Sequence, residues 1–301
     1  AMRASGVISA CGAFVMKAAV GASNDARRLC SNPWLGYALP KYKGAARVQD
    51  WPVYVINMDS NETRLARVGA ELDGAGVAWT RLPAVNGRAL SEGALARVYD
   101  VRANRRYARH DLVPPEIGCY LSHIKAAEWL LESGAEAAVV LEDDLRITGD
   151  FAATLSALQD DLQKRPAAWD MVKLFSFKPV RLDQAQTIGQ GFTLGRPDRV
   201  PSTTLGYVLT RAGAEKILAK VPPIFRPVDE DHKHFWEFDL RVAMIAPQTI
   251  AIGAQETSDG TVGDSRKKMA QKDPIWVRLW RFGRYRVNYR LHLARARAKG
   301  L

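Results

Sequence analysis

Three consecutive carboxylates, Glu142, Asp143 and Asp144, follow directly on the apolar run Val139-Val140-Leu141. Apolar β-formers of this kind read as a buried strand of an α/β domain, and such domains bind ligands beyond the carboxyl ends of their strands. Three acids there repel one another and are costly to desolvate unless something cationic joins them. A divalent metal carrying a diphosphate meets that need, which points to chemistry on a nucleotide-activated donor. The run alone fits equally well an exposed strand end whose acids meet solvent or cap the next helix.

Other chemistry-bearing residues sit at element junctions. Asn57, Asp59 and Arg64 lie where a strand, Pro52 to Asn57, gives way to a helix from Glu62 to Leu72. A nucleotide could sit there, with Arg64 offering its planar donor fork to a phosphate. The plainer reading makes Asp59 a cap and Arg64 a solvated helix residue. Asn86-Gly87 could bring backbone close to a base, or simply form a turn. Ser122 and His123, with Cys119, suggest nucleophilic chemistry. The chain offers neither a nucleophile elbow nor an evident triad aspartate, so a buried, hydrogen-bonded His123 and a packed Cys119 are expected instead. Asp229, Glu230 and Asp231 could supply a base beside an acceptor hydroxyl. His232 and His234 follow them without a complete zinc ligand set.

The elements that must hold these residues alternate. A second strand, Val77 to Leu82, follows the first helix, and this strand–helix–strand order implies a parallel sheet. Residues 91 to 114 read as charged and irregular. A helix from Pro114 through Leu131 leads, by way of Gly134, into the acid-ended strand. A helix from Phe151 to Leu162, a strand from Met171 to Phe175 and a hairpin within 178–200 come next. A strand from Thr204 to Thr210 precedes a helix from Ala212 to Lys220, which Pro222 and Pro223 stop. Late strands are expected at Phe238 to Ile245 and Thr249 to Ile252. The expected division is an extension at 1–50, a catalytic domain at 51–270 and a basic, aromatic helix at 271–301.

The net charge of +11 favours anionic partners, from nucleotides to anionic membranes. No zinc finger, RNP-like run or repeated basic-aromatic motif is present, so nucleic acid is not expected. Three cysteines, Cys11, Cys30 and Cys119, form no C-x-x-C pair and suggest a reducing compartment. No apolar stretch reaches bilayer-spanning length. Gly6 to Val20 resembles a weak signal peptide interrupted by Lys17, and is expected to be a surface helix or poorly ordered extension.

Several separated segments carry a resemblance. Val53-Tyr54-Val55-Ile56-Asn57-Met58-Asp59 with Arg64, then Ala84-Val85-Asn86-Gly87, then Glu116 to His123, then Leu141-Glu142-Asp143-Asp144 stand in the order found in glycosyltransferase family 25. Tyr207 to Thr210 with Gly213-Ala214, and Pro227-Val228-Asp229, resemble its later segments. Met58 and Asn86 depart mildly from the family pattern, which more often has leucine and aspartate there. The family contains lipooligosaccharide galactosyltransferases and is related to the collagen galactosyltransferases.

The resemblance implies a GT-A-like α/β fold with a mostly parallel central sheet and terminal helical additions. It implies a metal-dependent, inverting galactosyltransferase moving galactose from UDP-galactose to a lipopolysaccharide or lipooligosaccharide core. Another nucleotide sugar, a protein acceptor or a non-catalytic carbohydrate-binding role remain alternatives. Mn²⁺ or Mg²⁺ would sit on Asp144, with Glu142 as second ligand or structural acid. Asp143 would act near the ribose or sugar, in donor binding and catalysis. Asn57, Asp59, Arg64, Asn86, Gly87, Ser122 and His123 would line the donor site, and Asp229 would serve as base or acceptor-site residue. Gln255 through Arg266 would close over the donor. The basic tail would meet an anionic membrane surface near a lipid-linked oligosaccharide acceptor, so the protein is expected at the cytoplasmic side of the inner membrane.

Overall fold

The computed structural model describes residues 51–108, 110–253 and 274–298. Ten strands and nine α-helices are found among them. The first strand, β1 (Val53–Asn57), is buried at every position, as its unbroken apolar run requires. Helix α1 (Glu62–Gly74) packs Val68 and Leu72 inward and returns the chain to β2 (Thr80–Pro83). Residues Val77 to Trp79, expected in that strand, instead lead into it, and Val77 joins the core.

The segment at 91–114 departs from expectation. It forms two short helices, α2 (Glu92–Val98) and α3 (Val101–Tyr107). Ser91 and Asp100 start them by accepting hydrogen bonds from the Ala94 and Ala103 backbone N–H groups, at 3.2 and 2.9 Å. Their N-cap chemistry outweighs the weak apolar periodicity of so charged a stretch.

Helix α4 (Pro114–Ser133) begins with proline at N1, and Glu116 reaches back to the Val113 N–H at 3.0 Å. Gly134 ends it with φ of 76°. Then come β3 (Ala137–Glu142), β4 (Leu145–Ile147), α5 (Phe151–Lys164), β5 (Met171–Lys173) and the hairpin β6 (Leu182–Thr187) and β7 (Thr193–Pro197). Strand β8 (Gly206–Thr210) leads into α6 (Arg211–Leu218), with Thr210 as its cap. Short helices α7 (Val228–Lys233) and α8 (Phe235–Phe238) precede β9 (Val242–Ala246) and β10 (Ile250–Ile252). The strand expected to start at Phe238 therefore starts later, because residues 235–238 turn helical and Asp239 adopts φ of 54°. The basic helix α9 spans Ile275–Ala298.

The main sheet runs in the order β2-β1-β3-β8-β5-β9-β7-β6. Six of its eight strands point the same way; β8 and β7 are reversed. This is the mostly parallel α/β sheet of a GT-A-like fold. Because β8 runs antiparallel between β3 and β5, its N-terminal end lies at the carboxyl edge of both neighbours. Strands β4 and β10 form a separate antiparallel pair. The acid run thus sits on the turn between a main-sheet strand and this small second sheet.

Candidate functional site at the carboxyl edge of the sheet

Parallel pairing sets Ile56 opposite Glu142, so the ends of β1 and β3 emerge side by side. The Asn57 Nδ2 group donates to Asp143 Oδ2 at 2.7 Å, and its Oδ1 accepts from Arg81 Nε at 3.0 Å. Arg64, on the first turn of α1, brings Nη1 to 3.6 Å from Asp143 Oδ1. Arg81 also pairs with the exposed Asp59. Four of the expected residues, Asn57, Asp59, Arg64 and Asp143, are thereby joined in one polar edge by a fifth, Arg81. Burial raises the Asp143 carboxyl above its ordinary range, while Asn57 and Arg64 oppose that rise.

Asp144 differs from its neighbours. Its Oδ1 is buried and has no hydrogen-bond partner. Burial, then the charges of Glu142 and Asp143, lift its pKa to about 6. Its backbone carbonyl is fixed by the Gly253 N–H at 2.6 Å. An orphaned carboxylate oxygen beside two further acids fits a hard divalent cation, which takes oxygen ligands and would remove the repulsion.

Glu142 faces the interior of the site. Thr204 Oγ1 donates to its Oε1, and His123 Nε2 lies 3.4 Å from the same oxygen. Burial favours the neutral acid, but the His123 and Thr204 hydrogen bonds and the charges of His123 and Lys173 outweigh it and hold the carboxyl below its usual range. His123 Nδ1 meets Tyr207 Oη at 2.9 Å. His123 is therefore buried, 5% exposed, hydrogen-bonded through Nδ1 and with Nε2 turned toward Glu142. Cys119 Sγ, His123 and Glu142 bring ligand atoms within 4.8 Å of one another. Burial first, then the nearby acids, pushes the Cys119 thiol well up, so it sits as a neutral packed group.

Gly87 and Ser122, both expected in the donor site, lie where the loop at 84–88 meets α4. Gly87 is buried, and a Cβ on it would stand 1.7 Å from the Pro114 carbonyl oxygen. Its missing side chain lets α4 approach the loop, where Gly118 is equally confined: a Cβ there would meet Val85 O at 2.5 Å. Ser122 ties down the same contact, donating to Gly118 O and accepting from Val85 N–H, both at 2.8 Å. Gly87 and Ser122 thus hold the close approach between this loop and α4. Asn86 is exposed and caps a short 3₁₀ turn by accepting from Arg88 N–H at 3.0 Å.

Asp229 opens α7 on the other side of the site. Burial, then Glu230, raises its carboxyl, against the pull of Lys233 and Lys173. Lys173 is fully buried and links the two halves electrostatically: burial lowers it to about 7, opposed by Asp229 and Glu142. Its Nζ donates to Thr203 O at 2.8 Å and contacts His232 Nδ1 at 2.7 Å. Asp231 turns away, binding Arg226 Nε at 2.6 Å and Tyr120 Oη at 2.8 Å. His234 Nδ1 lies 2.8 Å from Glu230 O.

Arg81, Lys173 and Thr204 were not singled out from sequence, and Tyr207 entered only as part of a family segment. Arg81 and Lys173 carried one weak signal, a lone cation within an otherwise apolar strand. The proposed closing segment, Gln255 through Arg266, and the extension at 1–50 lie outside the described residues.

Comparison with known proteins bears on this site. Residues 50–231 match the model of glycosyltransferase family 25, described as an LPS biosynthesis protein. A probable inactive glycosyltransferase 25 family member 3 of Rattus norvegicus is 30% identical over 216 residues, 65% of this chain and 37% of its own. A glycosyltransferase 25 family member of Aedes aegypti is 31% identical over 59% of this chain and 30% of its own. Procollagen galactosyltransferase 1 of Danio rerio is 26% identical over 71% and 38%. The chain spans less than two fifths of the length of these relatives.

Proposed function

This chain belongs to glycosyltransferase family 25, and from that premise we propose that it transfers galactose from UDP-galactose to a lipid-linked oligosaccharide of the lipopolysaccharide or lipooligosaccharide core. The observation that carries the reading is Asp144: a buried carboxylate oxygen without a partner, beside an Asp143 already tied to Asn57 and Arg64. Asp144 would hold Mn²⁺ or Mg²⁺, with Glu142 behind it. The bound metal would supply Lewis-acid stabilisation to the departing diphosphate.

The chain's own residues do the rest. Asn57, Arg64 and Arg81 orient the donor's polar half and keep Asp143 in place. Arg64 and Arg81 supply guanidinium donors suited to phosphate oxygens. Asp229 takes the proton from the acceptor hydroxyl; its raised pKa brings it nearer the operating pH, as a general base requires. Attack from the face opposite the diphosphate inverts the anomeric centre.

The membrane half of the proposal rests on α9. Seven arginines and no acid lie within Ile275–Ala298. Trp276, Leu279, Trp280, Val287 and Leu291, all more than half exposed, share its outer face. Tyr289 and Leu293, on the opposite face, are buried against the domain. A cationic helix with an apolar outer stripe suits an anionic lipid surface. No described helix is long and apolar enough to cross a membrane. In this reading the protein works at the cytoplasmic face of the inner membrane.

Two specific observations favour other readings. Procollagen galactosyltransferase 1 of Danio rerio suggests a protein acceptor, and the relatives named inactive suggest carbohydrate binding without turnover. Calorimetry with a UDP-sugar panel, with and without Mn²⁺, tests the reading on wild type and Asp144→Ala. Mn²⁺-dependent UDP-galactose binding lost in the variant is expected. Selective binding of another sugar changes the donor; absence of any nucleotide-sugar binding removes the enzyme reading.

A further inference from the structure

We propose that the cavity between α9 and the α7–α8 segment is the acceptor subsite, and that it takes a sugar carrying a phosphate or carboxylate. The inference rests on the glycosyltransferase reading above and names the substrate class of its acceptor. The cavity encloses about 380 Å³ and is lined by Tyr107, Asp229, Trp236, Arg281, Arg284 and Tyr285, among others. That volume lies in the range of small-molecule sites. Its lining contains Asp229, the base proposed above. The cavity therefore reaches the residue proposed to take the acceptor hydroxyl's proton.

The chemistry of the walls selects the ligand. Tyr107, Trp236 and Tyr285 give the lining an aromatic character, with Trp236 backed by His292 stacked at 4.8 Å and Tyr107 carrying Arg284. The other acids of the lining are neutralised locally: Glu230 pairs with Lys233 at 2.7 Å, and Glu237 with Arg226. Arg284 is held differently. Its guanidinium lies 5.0 Å from the Tyr107 ring centre and 4.9 Å from that of Trp280, and among the described residues no carboxylate pairs with it. Two ring faces fix a cation without cancelling its charge. The planar fork remains suited to a phosphate or carboxylate oxygen pair. Arg281, one turn earlier, lines the same wall. Both arginines lie on α9, beyond residues 50–231 that match the family model.

Ligand-observed NMR titration of the full chain tests this, with glucose, glucose 6-phosphate and methyl glucuronide as probes. At least one acidic sugar binding about tenfold or more tightly than glucose is expected, and which one wins identifies the anionic group. Arg284→Gln should abolish that preference, Arg284→Lys should restore part of it, and Arg286→Gln should leave it unchanged. Thermal melting of each variant checks folding. Equal binding of neutral and acidic sugars by wild type, or an unchanged preference in a folded Arg284→Gln, overturns the proposal. Mn²⁺-dependent UDP-sugar binding, measured on the same samples, separates the cases. Its persistence with no acidic-sugar preference removes the subsite alone, and its absence removes the glycosyltransferase reading beneath it.

Discussion

Replacing Asp144 with asparagine should stabilise the metal-free protein at neutral pH while destroying its response to Mn²⁺. The folded-state pKa of about 6 exceeds the ordinary 3.8 because burial and two neighbouring acids disfavour the charge. A raised carboxyl pKa means that the folded state holds its proton longer than the unfolded chain does. Stability from this group is therefore intact below about pH 4 and is lost as pH rises through about 6. Two pH units correspond to about 3 kcal/mol, and solvent access at the turn reduces this to roughly 1–2 kcal/mol. Asp144→Asn keeps the shape and removes the charge. At roughly 2–4 °C per kcal/mol, its melting temperature should exceed wild type by roughly 2–8 °C at pH 8. Near pH 4 the two proteins should melt together. Saturating Mn²⁺ should raise the wild-type melting temperature at pH 8 and leave the variant unmoved. Scanning fluorimetry across pH, with and without metal, reads all three effects. Parallel melting curves at pH 4 and pH 8, with equal Mn²⁺ responses, would refute the assignment of a buried, cation-seeking charge to Asp144.

Further outcomes can be checked separately. Asn57→Ala frees Asp143 and Arg81 together; UDP-sugar affinity by calorimetry should fall roughly ten- to hundredfold at a cost to stability of about 1–3 kcal/mol. Gly118→Ala forces a Cβ to 2.5 Å from Val85 O, so chemical denaturation should show a loss of about 1–3 kcal/mol. Gly283→Ala, with nothing within 4 Å, should instead gain up to about 1 kcal/mol. Asp170 is fully buried and binds Arg241 at 2.9 Å and Lys216 at 2.8 Å. Burial alone would raise its carboxyl, but these partners hold it low, so its contribution is present at neutral pH and disappears as pH falls through the lowered value. Asp170→Ala should lose about 3–5 kcal/mol at pH 7 in urea titrations, with a smaller penalty at strongly acid pH.

The polar edge at Asn57 and Asp143 was legible because its parts are local. An apolar run that ends abruptly in Asn57, or in Glu142-Asp143-Asp144, announces a strand whose tip meets ligand or solvent. The caps Ser91 and Asp100 also stood in plain view, yet the charged stretch they start has too little apolar periodicity to read as helix. Gly87, Gly118 and Ser122 could not be assigned from spacing, because their shared role is a close approach between a loop and a distant helix. Arg81 and Lys173 were missed for a related reason. A cation within a strand has no visible partner until sheet order decides which strand ends adjoin. Lys173 meets Thr203 and His232, and feels the charges of Asp229 and Glu142, only once β8 has paired with β5, which no local pattern encodes.

That reversed strand also governs how the protein is made. β3 pairs with β1 on one side and with β8 on the other. Until residue 210 has left the ribosome, the strand that carries the acids presents an unpaired, almost wholly apolar edge. Such edges recruit other chains when left open during synthesis. The acid-bearing turn is therefore assembled late, by a strand that enters between two already extruded neighbours, so the edge left open longest during synthesis is the one beside the carboxylates.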